Sequence, residues 1–440
     1  MLLYVAWSSR LLRPGADDYC LAVDADLGIL GGLGYWFTEV SGYVTFGFGA
    51  MVFVGWPLRH LPLPVASAIP FLVALLSVGV TGVTSYWSTL NSRTWTSFFR
   101  ASALVPVIGM AWLAFLWLPV ATGSDGISRW MAHGLAHWQT LNGSYVLATS
   151  VSLLSGIVLW ILSARNSTWF WAFLPLGIAT GFGGAALAIA TASICAVVLA
   201  YNWFARTIWL PQHRKGMGLM LAGVIIGGVA SHLAPGTQSR SSVLGATAPT
   251  SVRDVAELLN GTLPEAISVW VQSFAHVGAI LLVTLGLTMG WLLARTRADV
   301  NPRRGAALAA VLLGFGLVSS LASRFSQQFA YDGYWHFMPA WLFSFLALLV
   351  GSLSVGIYLA RSSWAWETPV VLSIGAAALL VVAGAMLELT TSMATRALVW
   401  ENGPAPLPGM VSDLENPQGM EIACWRDLGQ MRTLPARGGQ

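Results

Sequence analysis

Asp17 and Asp18 stand side by side in Arg13-Pro14-Gly15-Ala16-Asp17-Asp18-Tyr19-Cys20, near the start of a chain that otherwise avoids charge. Adjacent carboxylates repel, and each costs roughly 2.5 to 3.5 kcal/mol at the hydrocarbon centre of a membrane, so the pair needs water, partners or a task. The natural task is to take the proton of an acceptor hydroxyl. A second stretch, His232-Leu233-Ala234-Pro235-Gly236-Thr237-Gln238-Ser239-Arg240, forces a turn at Pro-Gly and then offers the Arg240 donors, which suit either a phosphate or lipid headgroups. A third runs from Arg324 through Gln327 to Tyr331, Asp332, Tyr334, Trp335 and His336, mixing a cation, an acid and flat rings that would suit a substrate. The fourth, Asp125 to Tyr145, carries His133, His137, Trp138, Asn142 and Gly143. His133 and His137 have the i, i+4 spacing of a metal pair, but Gly134 replaces the glutamate of HExxH. An amphipathic surface helix fits that stretch better, and no metal site is assigned. A carboxylate base with arginines that hold a departing phosphate suits transfer from a lipid phosphate, whose tail would lie between helices. A divalent cation would be compatible with the paired acid, and no other cofactor is indicated.

The elements that must position these groups are apolar. Of 440 residues, 56% are hydrophobic and 9% charged, far from the quarter charged in ordinary soluble domains. Alternating segments of the kind a membrane barrel needs are missing, so the spans are helical. The expected fold is all-α and integral to the membrane, with outer-face loops and re-entrant or surface helices. The formal charge of +4 is scattered in short loops, which excludes a nucleic-acid partner and leaves the lipid bilayer as the surroundings. The glycines from Gly28 to Gly34 follow no strand and are not a dinucleotide fingerprint. Cys195 lies in an apolar run and reads as an inert buried thiol.

Candidate spans fall at 64–84, 101–120, 145–163, 168–181, 184–204, 216–233, 266–294, 305–322, 339–360 and 369–390. With the incomplete apolar stretch that begins at Met1, they make a polytopic bundle of about eleven transmembrane helices. Tyr43 to Trp56 is short and followed by Pro57, Pro62 and Pro64, so it reads as a helix at the membrane face. Basic residues occupy alternate loops: Arg93 and Arg100, Arg165, Arg206 with Arg214 and Lys215, Arg295 to Arg304, then Arg361. Those loops are expected in the cytoplasm. The active loop 13–42 and the loops 121–144, 232–265 and 323–338 then face outward from a plasma-membrane domain of residues 1–395, joined by a tail of residues 396–440. Cys20 and Cys424 both fall on that outer side, which is oxidising in many bacteria, and their disulfide would draw the tail over the acidic loop.

In order along the chain, Asp17-Asp18-Tyr19, Ser41-Gly42-Tyr43, Trp138 to Tyr145, and Pro235-Gly236 through Arg240 resemble the motifs of bacterial polytopic glycosyltransferases of the GT-C type, especially an actinobacterial-like group. The resemblance implies transfer of a sugar from a polyprenyl-phosphate donor to a glycan, lipid or protein acceptor of the cell envelope, on the outer face. It makes Asp17 or Asp18 the catalytic base and sets Arg240 on the donor phosphate, and the residues themselves offer Arg324 as a second phosphate ligand. His232, Trp138, Tyr331, Asp332, Tyr334, Trp335 and His336 would then line the substrate. Tyr43 stands where the group has arginine, which implies a changed substrate or lost activity. Two other classes compete. A transporter or lipid-linked-sugar flippase would use the Gly181-Phe182-Gly183-Gly184 break and His276 as parts of a path. An inactive scaffold of envelope assembly would be indifferent to Asp17 and Asp18.

Overall fold

The computed structural model describes residues 21, 25–40, 42–91, 94–122, 145–204, 211–238, 252–295, 301–330, 337–361 and 367–402, and among these the chain is helical, with no strand. Helix α1 (Gly28–Tyr35) runs into a π turn, and α2 (Val44–Ala50), a second π turn and α3 (Trp56–His60) follow one another without a break. Then come α4 (Leu63–Ser88), the short α5 (Trp95–Ser102), α6 (Val105–Ala121) and α7 (Leu147–Arg165). A 3₁₀ segment, Ser167–Ala172, leads into α8 (Phe173–Gly181), and α9 (Ala185–Phe204) and α10 (Pro211–Leu233) follow. The remainder is α11 (Val252–Gln272), α12 (Val277–Arg295), α13 (Pro302–Ala330), α14 (Met338–Arg361) and α15 (Thr368–Asn402).

Eight of these, α4, α7, α9, α10, α12, α13, α14 and α15, are long and apolar enough to cross a membrane, and α6 is a shorter apolar helix. The protein is a multi-pass membrane protein. Two expected spans take a different form. Residues 168–181 become the 3₁₀ segment and the nine-residue α8, because the chain turns back at Gly183 and Gly184, the latter at φ +102°, a backbone that L side chains rarely adopt. Residues 266–294 are divided by a turn at Ser273–His276, which ends α11 and starts α12.

Glycines set how closely the helices approach. Phe173 meets Gly216, Gly177 meets Gly223, and Gly181 meets Gly227 and Gly228. The numbers rise together, so α8 runs parallel to α10, with the close backbone contact typical of small residues four apart in membrane helices. Gly286 lies on Leu349 and Ser352, and Gly290 on Leu353, so α12 and α14 are parallel as well. Helix α13 runs the other way against α14, with Gly305 at its start against Ser354. Asn301 caps that start, its Oδ1 accepting from the amides of Arg303 and Arg304. The Asn301 amide donates to the Thr89 carbonyl and Arg304 to that of Leu90, tying α13 to the end of α4.

The core gathers on α6 and α14, where Trp112, Phe115, Trp341, Phe343 and Phe345 are fully buried. Phe115 also meets Gly278 at the start of α12. In the α11–α14 group Arg295, Arg303, Arg304 and Arg361 share one end of the bundle, and in the α7–α10 group Arg165, Arg214 and Lys215 share one end. The polar stretches described next lie at the opposite end in both groups.

Candidate functional site

Three stretches far apart in the chain meet beyond the end of α10. The Gly42 amide donates to Thr237 Oγ1 at 2.8 Å, and that hydroxyl donates to the Ser231 carbonyl at 2.9 Å. Thr237 thus accepts from one segment and donates to the other, spending its one donor and one of its two acceptor sites. Gly42 sits directly on the Ser231 backbone, where a side chain has no room. One turn later Thr45 holds the break after α8: its Oγ1 donates to the Ala179 carbonyl at 2.6 Å and its amide to that of Phe182 at 3.2 Å. Phe46 then lies with its ring centroid 4.5 Å from that of Tyr145 and its edge against Gly184. Tyr43 is half-buried, its ring 6.4 Å from Phe46. His232 is exposed in the last turn of α10, beside this corner.

Arg324 lies in the last two turns of α13 and pairs with Glu265 of α11, Nη2 to Oε2 at 2.6 Å. The two side chains are 23% and 46% exposed, so the pair contributes little to stability, about 0 to 1 kcal/mol. Its effect is positional, because it fixes a guanidinium at the non-basic end of α13. Helix α11 packs on α13 by the Ser320 hydroxyl, which donates to the Ala266 carbonyl at 2.8 Å. Leu263, Ile267 and Val271 face outward in a stripe of period four.

The turn between α11 and α12 lies about 10 Å inside the end marked by Arg324 and Met338, since it reaches Ser344, six residues along α14. Helices α11 and α12 thus run in the same sense, both antiparallel to α13 and toward the basic end, with this turn between them. Ser273 Oγ bonds Ser344 Oγ at 2.8 Å and the Trp270 carbonyl at 2.6 Å. His276 caps α12. The Ala279 amide can only donate, so Nδ1 at 3.3 Å is an acceptor; the Ser273 carbonyl can only accept, so Nε2 at 3.1 Å bears the proton. The ring is held neutral between Phe115 and Trp341, stacked on the latter at 17°. His276→Ala should destabilise the protein by about 1 to 2 kcal/mol through the lost cap and lost ring packing, whereas His276→Asn, which keeps a capping acceptor, should recover part of it. Thermal unfolding of the purified protein checks the order wild type, Asn, Ala; equal midpoints for Asn and Ala would mean that the cap contributes nothing.

Of the residues expected at the site, the structure thus places His232 and Arg324. Asp17, Asp18, Cys20, Trp138, Arg240, Tyr331, Asp332, Tyr334, Trp335, His336 and Cys424 lie outside the described residues. Three residues with clear roles here, Thr45, Thr237 and Glu265, were not singled out by their sequence setting, and His276 was, as part of a transport path rather than as a helix cap. Thr45 and Thr237 are ordinary hydroxyls whose importance comes from contacts across the fold. Glu265 had a signal, as an acid within an apolar helical stripe. His276 had one too, as a polar residue that interrupts an overlong apolar run. No family model, curated protein or solved structure matches the chain.

Proposed function

We propose that this chain is a glycosyltransferase that moves a sugar from a polyprenyl-phosphate donor to a cell-envelope acceptor on the outer face of the plasma membrane. One observation carries the reading. Segments that carry the resemblance meet where the structure describes them, Gly42 on Thr237, just after Pro235-Gly236, and Phe46 on Tyr145 and Gly184. In this reading Asp17 or Asp18 accepts the proton of the acceptor hydroxyl, and the bond to the anomeric carbon forms as the bond to phosphate oxygen breaks. Arg240 and Arg324 hold the phosphate as its charge grows. For Arg324 this means turning from the Glu265 carboxylate to a phosphate, which a planar fork of donors can engage bidentately. Tyr43 supplies a ring where a cation is expected, which favours an acceptor recognised by stacking.

A transporter has one specific feature in its favour, two helix breaks within the bundle at Gly181–Gly184 and Ser273–His276. The same assay separates the two. Purified protein in vesicles, given labelled polyprenyl-phosphate sugar and an envelope acceptor fraction, should release polyprenyl phosphate and label the acceptor. Movement of intact donor between leaflets with no release would overturn the enzyme reading.

A further inference from the structure

At the basic end of the α7–α10 group the structure presents a second surface with chemistry of its own. His213 stacks on Trp160, ring centroids 4.0 Å apart and planes at 15°, and its Nε2 donates to the Trp160 carbonyl at 3.2 Å. That contact pins the start of α10 to the last turns of α7. It brings the next two residues, Arg214 and Lys215, both exposed, beside the 3₁₀ segment Ser167–Ala172. Lys215 Nζ sits 5.6 Å above the Phe170 ring. On either side of Phe170, Trp169 and Trp171 are 44% and 61% exposed. The arrangement is two cations on a helix start beside a short platform of outward aromatic rings.

Charge decides what covers it. Between Asp125 and Asp254 the sequence has no aspartate or glutamate. The α7–α10 group, which lies within that stretch, therefore has no carboxylate of its own to set against Arg214 and Lys215. Exposed tryptophans favour the headgroup level of a bilayer, half apolar and half wet. A soluble anion would answer the charge and leave the rings unexplained, while an anionic lipid answers both: its phosphate meets the cations and its glycerol and upper acyl chain meet Trp169 and Trp171.

We propose that Arg214 and Lys215, with the Trp169–Trp171 platform, form a binding site for an anionic phospholipid at the membrane face opposite the candidate catalytic corner. The site is independent of the glycosyltransferase reading. A basic group beside an anionic surface changes lipid partition about fivefold for each Lys or Arg. Neutralising both should lower the preference for anionic lipid at least tenfold.

The full-length protein would be taken from bilayers of equal phosphatidylglycerol and phosphatidylcholine, and its retained lipids counted by native mass spectrometry. The wild type should retain phosphatidylglycerol in excess, and the Arg214→Gln/Lys215→Gln variant should lose that excess. Arg214→Lys/Lys215→Arg, which keeps charge and fold, should preserve it. Equal retention of the two lipids by the wild type overturns the site, as does an unchanged excess in the glutamine variant. Stripping of the lipid by millimolar inorganic phosphate as readily as by phosphatidylglycerol vesicles would show an unspecific anion site and overturn it too.

Discussion

Replacing whichever of Asp17 and Asp18 is the base by asparagine should lower turnover by roughly 10² to 10⁴, the usual worth of a positioned general base. The amide matches the carboxylate in size and cannot take up a proton under the conditions of the reaction. The affinity for donor should stay within a few fold, because in the proposed reading phosphate binding falls to Arg240 and Arg324. Removing the neighbouring acid should act differently. Two adjacent carboxylates raise each other's pKa, so deleting one negative charge lets the survivor ionise more easily. The acidic limb of the rate profile should then move to lower pH, with a smaller fall in the plateau rate. Turnover measured against pH for the two single variants assigns the roles: a deep loss marks the base, and a shifted limb marks its neighbour. Wild-type turnover in both variants across the whole pH range would remove the acid pair from the chemistry and sink its assignment as base.

This assignment leans on sequence, and the structure shows where such reading succeeds and where it stops. Long apolar runs such as Met338–Arg361 and Thr368–Thr395 announce themselves, since a helix that must cross hydrocarbon has almost no freedom in composition. The alternation of basic loops was legible for the same reason, and among the described residues Arg165, Arg214 and Lys215 share one end of their group, as Arg295, Arg303, Arg304 and Arg361 do of theirs. Breaks inside apolar stretches were harder. Residues 266–294 read as one span because Gln272, Ser273 and His276 are scattered polar positions in a long apolar run. What divides the run is bonding across the fold, to Ser344 on α14 and to the first turn of α12. The Gly181–Gly184 break was visible as glycines. That its far side is held by Thr45, some 135 residues earlier, was not. The convergence of Gly42 with Thr237 depends on a tertiary contact spanning 195 residues, and no local period encodes it. Motif order along the chain hinted at a shared site, and only the packing of α2, α8 and α10 states which atoms meet.

That packing turns on Gly42, and Gly42→Ala should be among the most damaging small substitutions in the protein. A Cβ at this position would overlap the Ser231 carbonyl and lie 2.6 to 2.7 Å from its carbonyl carbon and Cα. The obstacles are backbone atoms in the last turn of α10, which cannot swing aside as the end of a side chain can. Either α10 or the 42–46 segment must move, at a cost of about 1 to 3 kcal/mol, the usual range for overpacking. The movement would also break the amide bond to Thr237 and carry Tyr43, Thr45 and Phe46 away from the turn after α8. Activity should therefore fall further than stability. Thr237→Ala removes the hydroxyl and leaves the space, so about 1 kcal/mol is expected. In the double variant the two losses should add to less than their sum, because both sever one contact. Gly156→Ala is the control: nothing lies within 4 Å of its Cβ position, and a helical alanine there should be neutral or slightly stabilising. Thermal unfolding midpoints for the four variants, read beside their transfer rates, test the contact. If Gly42→Ala unfolds and turns over like Gly156→Ala, the 42–46 segment does not rest on α10 in the working protein, and the candidate site loses the wall that joins its parts.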